Sequence, residues 1–415
     1  MWRHRDLRIV GPARALSVLG DELALIALLL RVHDTGGGPT GVTLLLVSAA
    51  VPTVMLAPWA GRLADRCDSR RLTTTSATAQ LCVCVALVFS TSPWLVYLLV
   101  IALQAGQAVA NPTWGALIPK VVGEADIARA QGGMSALLTV GAVAGPAAGG
   151  LLTGLGGARL PLLADAATFA VLAAAGLAVR TRRGGRWSPP ADGSTPRPHA
   201  FDGLRLLSRD TILRPVLAAL MAYIVVGEAT NVVEVFLVRD ALHGTAAQYG
   251  LVGTAASAGI VAGSLIGGRD TSLRQRLRWV VLAAGGQALM ICLAGLAPSV
   301  VALAAVWSLL GVANGILNTN TSTLLITRTP EASRGQVIAA AMGASRAFSL
   351  TALALGGLAG AILGPRATFI TGGAGALAVT AALAWTIRWA WSPGAEPPPH
   401  QPVRTTGVPL KAIRD

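Results

Sequence analysis

Long apolar runs separated by short polar breaks occupy residues 8–32, 41–60, 72–91, 94–117, 133–155, 160–179, 213–238, 250–267, 278–297, 299–327, 336–363 and 367–390. Each comes close to or exceeds the roughly 20 residues that an α-helix needs to cross a hydrocarbon core of about 30 Å. Lipid gives the backbone no hydrogen-bonding partner, so such runs must satisfy their amides internally. The pattern predicts an all-α polytopic membrane protein with 12 transmembrane helices.

Between residues 180 and 214 the composition turns to Arg, Pro, Gly and Ser, including Trp187-Ser188-Pro189-Pro190. This break predicts an N-terminal six-helix bundle over 1–180, a cytoplasmic linker over 181–212, a C-terminal six-helix bundle over 213–391 and a tail over 392–415. A short interfacial helix and a disordered tether fit 201–213 equally well. A shift of 205 residues lays Asp65 on Asp270, Arg71 on Arg276, Gly106 on Gly311 and Gln131 on Gln336. A shift of 207 lays Gly20-Asp21 on Gly227-Glu228. Repetition at half the chain length is a mark of duplicated transporters, whose substrate site lies near the midplane between repeats.

Hydrophobic residues make up 53% of the chain and charged residues 13%, against roughly 25% charged in soluble domains. The net charge of +14 follows the alternation of the runs. One set of ends holds Arg3, Arg5, Arg8, Arg62, Arg66, Arg70, Arg71, Lys120, Arg129, Arg269, Arg274, Arg276, Arg278, Arg328 and Arg334; the other holds only Arg31, Arg159, Arg239 and Arg366. By the positive-inside rule both termini are expected in the cytoplasm, and the charge is an orientation signal rather than a nucleic-acid footprint. The first run carries Asp21 and Glu22 and no convincing cleavage site, so it is expected to stay as the first helix.

Cys67, Cys82, Cys84 and Cys292 lie in or beside the runs, and a C-x-C pair on a helix points its sulfurs about 200° apart. His4, His33, His199, His243 and His400 all fall in predicted loops or tails. No metal site and no cofactor are expected. The two lysines, Lys120 and Lys411, do not complete a phosphate-binding G-x-x-x-x-G-K-[ST] loop, so the chain is not an enzyme driving its own ATP motor.

Two motifs carry a resemblance. The break after the second run reads Gly61-Arg62-Leu63-Ala64-Asp65-Arg66-Cys67-Asp68-Ser69-Arg70-Arg71-Leu72, and the fifth run contains Gly141-Ala142-Val143-Ala144-Gly145-Pro146-Ala147-Ala148-Gly149-Gly150. The first resembles the major facilitator signature G-x-L-a-D-r-x-g-r-[rk], with Asp68 in place of the usual glycine as in the macrolide-efflux-like drug:proton antiporter branch. The second is similar to that superfamily's antiporter motif g-x-x-x-G-P-x-x-G-G. The resemblance covers essentially 8–391 and implies a latch at Gly61, Asp65, Arg66, Arg70 and Arg71. It implies that helices 5 and 8, and 2 and 11, join the two halves.

Small-residue stripes fall on those helices at Gly141, Gly145 and Gly149, at Gly259, Gly263 and Gly267, at Gly356, Gly360 and Gly364, and at Ala49, Thr53, Ala57 and Gly61. Such stripes permit close backbone approach, and they are expected to be the sliding contacts between halves; ordinary helix packing is the alternative. One departure is Ala102, where several drug exporters of the superfamily carry an arginine in helix 4.

Carboxylates inside apolar runs are expensive and are functional candidates by default. Asp21 and Glu22 in the first run, and Glu228 and Glu234 in the seventh, are the expected proton or cation-coupling residues; structural pairing with Arg14 or Arg346 is the alternative. Gln104, Gln107 and Asn111 share one helical face, as do Asn314, Asn318 and Thr321. The resemblance places both faces on the substrate cavity. Asp165 in the sixth run reads as structural.

The expected function is proton-coupled export of a hydrophobic or amphipathic small molecule, from the plasma membrane of a bacterium, by a monomer whose partners are substrate, protons and lipid. Proton-coupled uptake of a metabolite, and a non-transporting receptor or scaffold, are the alternatives.

Overall fold

A computed structural model describes residues 4–122, 126–183, 205, 210, 212–269, 272–329 and 334–390, almost all of them helical. The helices are α1 (Arg5–Asp34), α2 (Gly38–Met55), α3 (Ala57–Arg66), α4 (Ser69–Phe89), α5 (Pro93–Val122), α6 (Ile127–Gly156), α7 (Arg159–Ala178), α8 (Leu213–Phe236), α9 (Ala246–Gly267), α10 (Leu273–Gly295), α11 (Val300–Arg328), α12 (Arg334–Leu363) and α13 (Pro365–Ala390). Among the described residues eleven spans are long and apolar enough to cross a membrane. The 30-residue α1 is not one of them, because Arg14, Asp21, Glu22 and Arg31 interrupt its apolar character.

Local chemistry sets the ends. Asp68 caps α4 by accepting from the Arg70 amide at 2.9 Å, and Thr245 and Gln248 form a reciprocal capping box at the start of α9. Gly36 (φ +75°) and Gly364 (φ +76°) turn the chain between α1 and α2 and between α12 and α13, in a conformation a Cβ disfavours. The second apolar run is two helices, not one. Leu56 closes α2 on the Pro52 carbonyl at 2.9 Å, and the proline at the start of α3 has no N–H with which to continue the ladder. The proposed interfacial helix over 201–213 falls largely outside the described residues.

Helices α1–α7 pack mainly on one another, as do α8–α13, and the two groups meet where α6 packs on α9 and α2 on α12. Phe169, Leu30, Leu45, Leu87 and Leu162 fill the first group, and Phe369, Leu277, Leu303 and Leu324 the second. Trp94, Leu155, Leu265, Val301 and Ile362 point outward, as lipid-facing side chains do.

The glycine stripes do not all serve the contacts expected of them. A Cβ on Gly141, Gly145 or Gly149 would strike Ala15, Glu22 or Leu23 of α1, not α9. Gly259, Gly263 and Gly267 likewise face Ser308, Val312 and Ile316 of α11. The junction between groups is made one residue along, where Pro146 and Gly150 lie against the backbone of Gly250, and Thr254 donates to the Val143 carbonyl at 3.0 Å and accepts from Ala147 N at 2.9 Å. On α12, Gly356 faces Ala229 of α8 and Gly357 faces Thr43 of α2. Gly61 has open space around it, whereas Ala49 of the same softer stripe packs against the core.

The hydrogen bonds and ion pairs joining the groups, among the described residues, lie between mid-bundle and the face opposite the linker. There His33 Nε2 meets Asp240 at 2.8 Å and Arg239 meets Asp34 at 3.3 Å. On the linker side a cavity of about 430 Å³ opens between α8, α11 and α12.

Candidate functional site

The candidate site is built on α1 and α5, which carry polar groups at matching heights. Arg14 and Asp21 lie two turns apart on α1; Asn111 and Gln107 lie one turn apart on α5. Arg14 donates to Asn111 Oδ1 at 2.9 Å, and Gln107 Nε2 donates to Asp21 Oδ2 in a close contact. The second oxygens of that pair, Asp21 Oδ1 and Gln107 Oε1, are buried without a partner. Arg14 also acts on Asp21 electrostatically, but the two form no contact ion pair among the described residues. Gln104 is half-buried one turn from Gln107.

Glu22 turns away from this pair. Its side-chain carbons occupy the space that a Cβ at Gly145 would need, so the antiporter-motif glycine makes room for an α1 carboxylate. Gly150 and Pro146 of the same motif serve the α9 junction.

On α8, Glu228 accepts from Ser349 of α12 in a close contact and from Asn231 at 3.4 Å. Arg346 does not pair with it, so the structural ion pairs anticipated for Asp21 and Glu228 are not formed. Each carboxylate is instead held by a neutral donor from a neighbouring helix. Glu234 accepts from Trp307 Nε1 at 3.1 Å, and buried Tyr249 lies in its field. Burying a carboxylate on so few donors is costly, and a bound proton relieves that cost.

On α11, Asn318 donates to Asn314 at 2.7 Å, and Asn318 and Thr321 line the linker-side cavity with Leu217, Met342, Ser345 and Arg346. Thr321 Oγ1 is buried and unpartnered. The cavity therefore offers hydroxyl, amide and guanidinium groups on otherwise apolar walls, a surface suited to an amphipathic guest.

The expected latch loop is mostly helical: Gly61 and Arg66, both exposed, lie in α3, and exposed Arg71 and half-buried Arg70 lie in α4; the Asp65 side chain lies outside the described residues. The ion pair seen there belongs to Asp68, which meets Arg182 of the linker at 3.2 Å, while Ser69 exchanges hydrogen bonds with Arg183. Sequence reasoning missed this contact, and it placed His33 in a loop, whereas His33 sits in the last turn of α1. Asp165, read from the sequence as structural, lies close to the Asp21 cluster. It is fully buried on α7 and accepts from Cys84 at 3.2 Å.

Comparison with known proteins yields one family model, described as Major Facilitator Superfamily, matching residues 10–238 and 216–415. An uncharacterized MFS-type transporter, YfiS of Bacillus subtilis (strain 168), is 27% identical over 149 residues, which is 36% of each chain. Among solved structures, nucleoside transporter NupG aligns with a TM-score of 0.70 at 13% identity, covering 94% of this chain and 100% of that one. A POT family transporter in complex with 5-aminolevulinic acid aligns with a TM-score of 0.73 at 13% identity, covering 94% and 97%.

Proposed function

The chain belongs to the major facilitator superfamily, a membrane transporter family, and from that premise we propose that it is a proton-coupled exporter of amphipathic small molecules. In this reading the chain crosses the membrane twelve times, in two halves over 1–180 and 213–391, with both termini in the bacterial cytoplasm. The cavity beside Asn318, Thr321 and Arg346 then faces inward, and the contacts at His33 and Asp240 close the outside. Membership of the macrolide-efflux-like branch rests on Asp68 and on the complete Gly141 to Gly150 motif.

The single observation that carries proton coupling is Asp21. Its Oδ2 is engaged by Gln107 while Oδ1 and Gln107 Oε1 stay buried without donors. A proton on Asp21 supplies the missing hydrogen. Opening of the α1–α5 face to the cavity exposes the carboxyl to water and to substrate, and a cationic guest seated beside Asp21 stabilises the ionised form. Proton binding and substrate binding then exclude one another, which is the requirement for antiport. Glu228, held on α8 by Ser349, is the corresponding group of the second half.

The test is ethidium accumulation in an efflux-deficient bacterial host expressing the protein, with and without an uncoupler. Energised, uncoupler-sensitive extrusion supports export. Enhanced uptake on energisation points to an importer, and no effect across a panel of cationic, neutral and anionic dyes opposes the proposal.

A further inference from the structure

We infer that Asp165 is a second proton-binding carboxyl, electrostatically joined to Asp21, so that the first helix group holds two exchangeable protons. The inference rests on the coupling role proposed for Asp21 and extends it to a residue outside the cavity.

Asp165 has 0% exposure, and three helices enclose it. From α4, Cys84 Sγ donates to Oδ2 at 3.2 Å. From α7 itself, Thr168 Oγ1 lies 3.2 Å from Oδ1. From α1, the Gly20 backbone presses on the carboxyl so closely that a Cβ there would meet both Asp165 Oδ1 and Thr168 Oγ1. Asp21 is the next residue and lies in the field of Asp165, as it does in those of Arg14 and Glu22. Among the described residues no cation and no backbone amide reaches Asp165.

The hydrogen count identifies the species that fits. Thr168 has one hydroxyl hydrogen, and it points to the Asp165 main-chain carbonyl at the shorter distance of 2.8 Å. An ionised Asp165 would be left with a thiol, a weak donor, and a share of that hydroxyl. A protonated Asp165 instead donates from Oδ1 to the Thr168 oxygen, which passes its hydrogen to the carbonyl, and every group is satisfied. The neighbouring carboxyl, Asp21, is short of a hydrogen in the same way. Gln107 is 8% exposed, is bonded to Asp21, and keeps a donorless Oε1 beside the donorless Asp21 Oδ1. One carboxyl hydrogen on each aspartate completes its own set of hydrogen bonds, and Arg14 acts on Asp21. Because Gly20 forms one wall of the Asp165 site and Asp21 follows it in the chain, displacement of α1 relative to α7 alters both carboxyls together.

Infrared spectroscopy tests this without any substrate. The purified full chain in lipid nanodiscs is titrated between about pH 5 and about pH 9, and the carboxylic C=O and thiol S–H bands are recorded for wild type, Asp165→Asn, Asp21→Asn and Cys84→Ala. The expected result is a carboxylic band that Asp165→Asn removes and a thiol band, removed by Cys84→Ala, that shifts as the carboxylic band titrates. Asp21→Asn displaces the midpoint of that titration. If Asp165→Asn fails to fold, the pH-dependent shift of the wild-type thiol band decides the same question. A band that never titrates, a thiol band indifferent to pH, or a midpoint unmoved by Asp21→Asn overturns the inference. Failure of dye extrusion with an intact titration would instead locate the error in the export reading.

Discussion

His33 and Asp240 stand 207 positions apart in sequence and 2.8 Å apart in space, and 207 is also the offset that lays Gly20-Asp21 on Gly227-Glu228. The contact joins the two helix groups opposite the linker, through a histidine held between Asp34 and Asp240.

His33→Gln should loosen this closure. Asp240 is largely solvent-exposed, so the contribution is about 1 kcal/mol or less, a shift of several-fold at most in the closed population. Cysteines at Thr35 and Gly244, in a background lacking the four native ones, should cross-link with lower yield in His33→Gln. Equal yield means that the pairing does not hold the face shut.

The corrected glycine contacts separate two substitutions that the sequence alone equates. Gly150→Val meets the backbone of Ala246 and Gly250 and should push α6 from α9, lowering the same cross-linking yield. Gly145→Val meets Glu22 within the first group and should lower thermal stability, by about 1–3 kcal/mol if the helices cannot relax, with little change in cross-linking. Identical behaviour of the two variants would refute the assignment.

Positions of helices were legible because apolar runs and charge placement are properties of one segment. Partners were not. Gly145 and Gly150 look alike in sequence, yet the helical twist turns one to α1 and the other to α9, and only packing decides which. The break at Leu56 was hidden because hydropathy is blind to a missing amide. Asp68 was read as a departure from a motif, while its role as a cap and as the anchor of Arg182 depends on a linker residue 114 positions away. Asp21 was singled out by the cost of a carboxylate in lipid, and its hydrogen-bond partner is Gln107 rather than an arginine.

Asp68→Ala removes both the α4 cap and the Arg182 pair. Loss of the cap alone costs about 1 kcal/mol. Limited proteolysis should cut near Arg182 and Arg183 faster than in wild type, whereas Asp68→Asn, which can still cap, should show an intermediate rate. Unchanged cleavage in both variants would dissociate the linker from this loop.

Asp6, ahead of the apolar part of α1, supplies a pH signature. Burial alone would raise its pKa, but hydrogen bonds from the Thr181 hydroxyl and amide and the Arg180 amide, with the Arg5 charge, outweigh it and hold the carboxyl below its ordinary 3.8. A folded value below the unfolded one contributes stability at neutral pH that is lost as pH falls through the folded pKa. Wild type should therefore unfold at a higher temperature than Asp6→Asn at about pH 6, and the gap should close below about pH 4. A gap that stays constant to acid pH would contradict the assignment.

The central claim is that Asp21 carries the proton that drives transport. The direct measurement uses proteoliposomes loaded with the dye extruded in cells, comparing movement driven by an imposed pH gradient with exchange at equal pH. Asp21→Asn should abolish the gradient-driven accumulation while equal-pH exchange continues at a rate comparable to wild type. Gradient-driven accumulation by Asp21→Asn at the wild-type level would contradict the account.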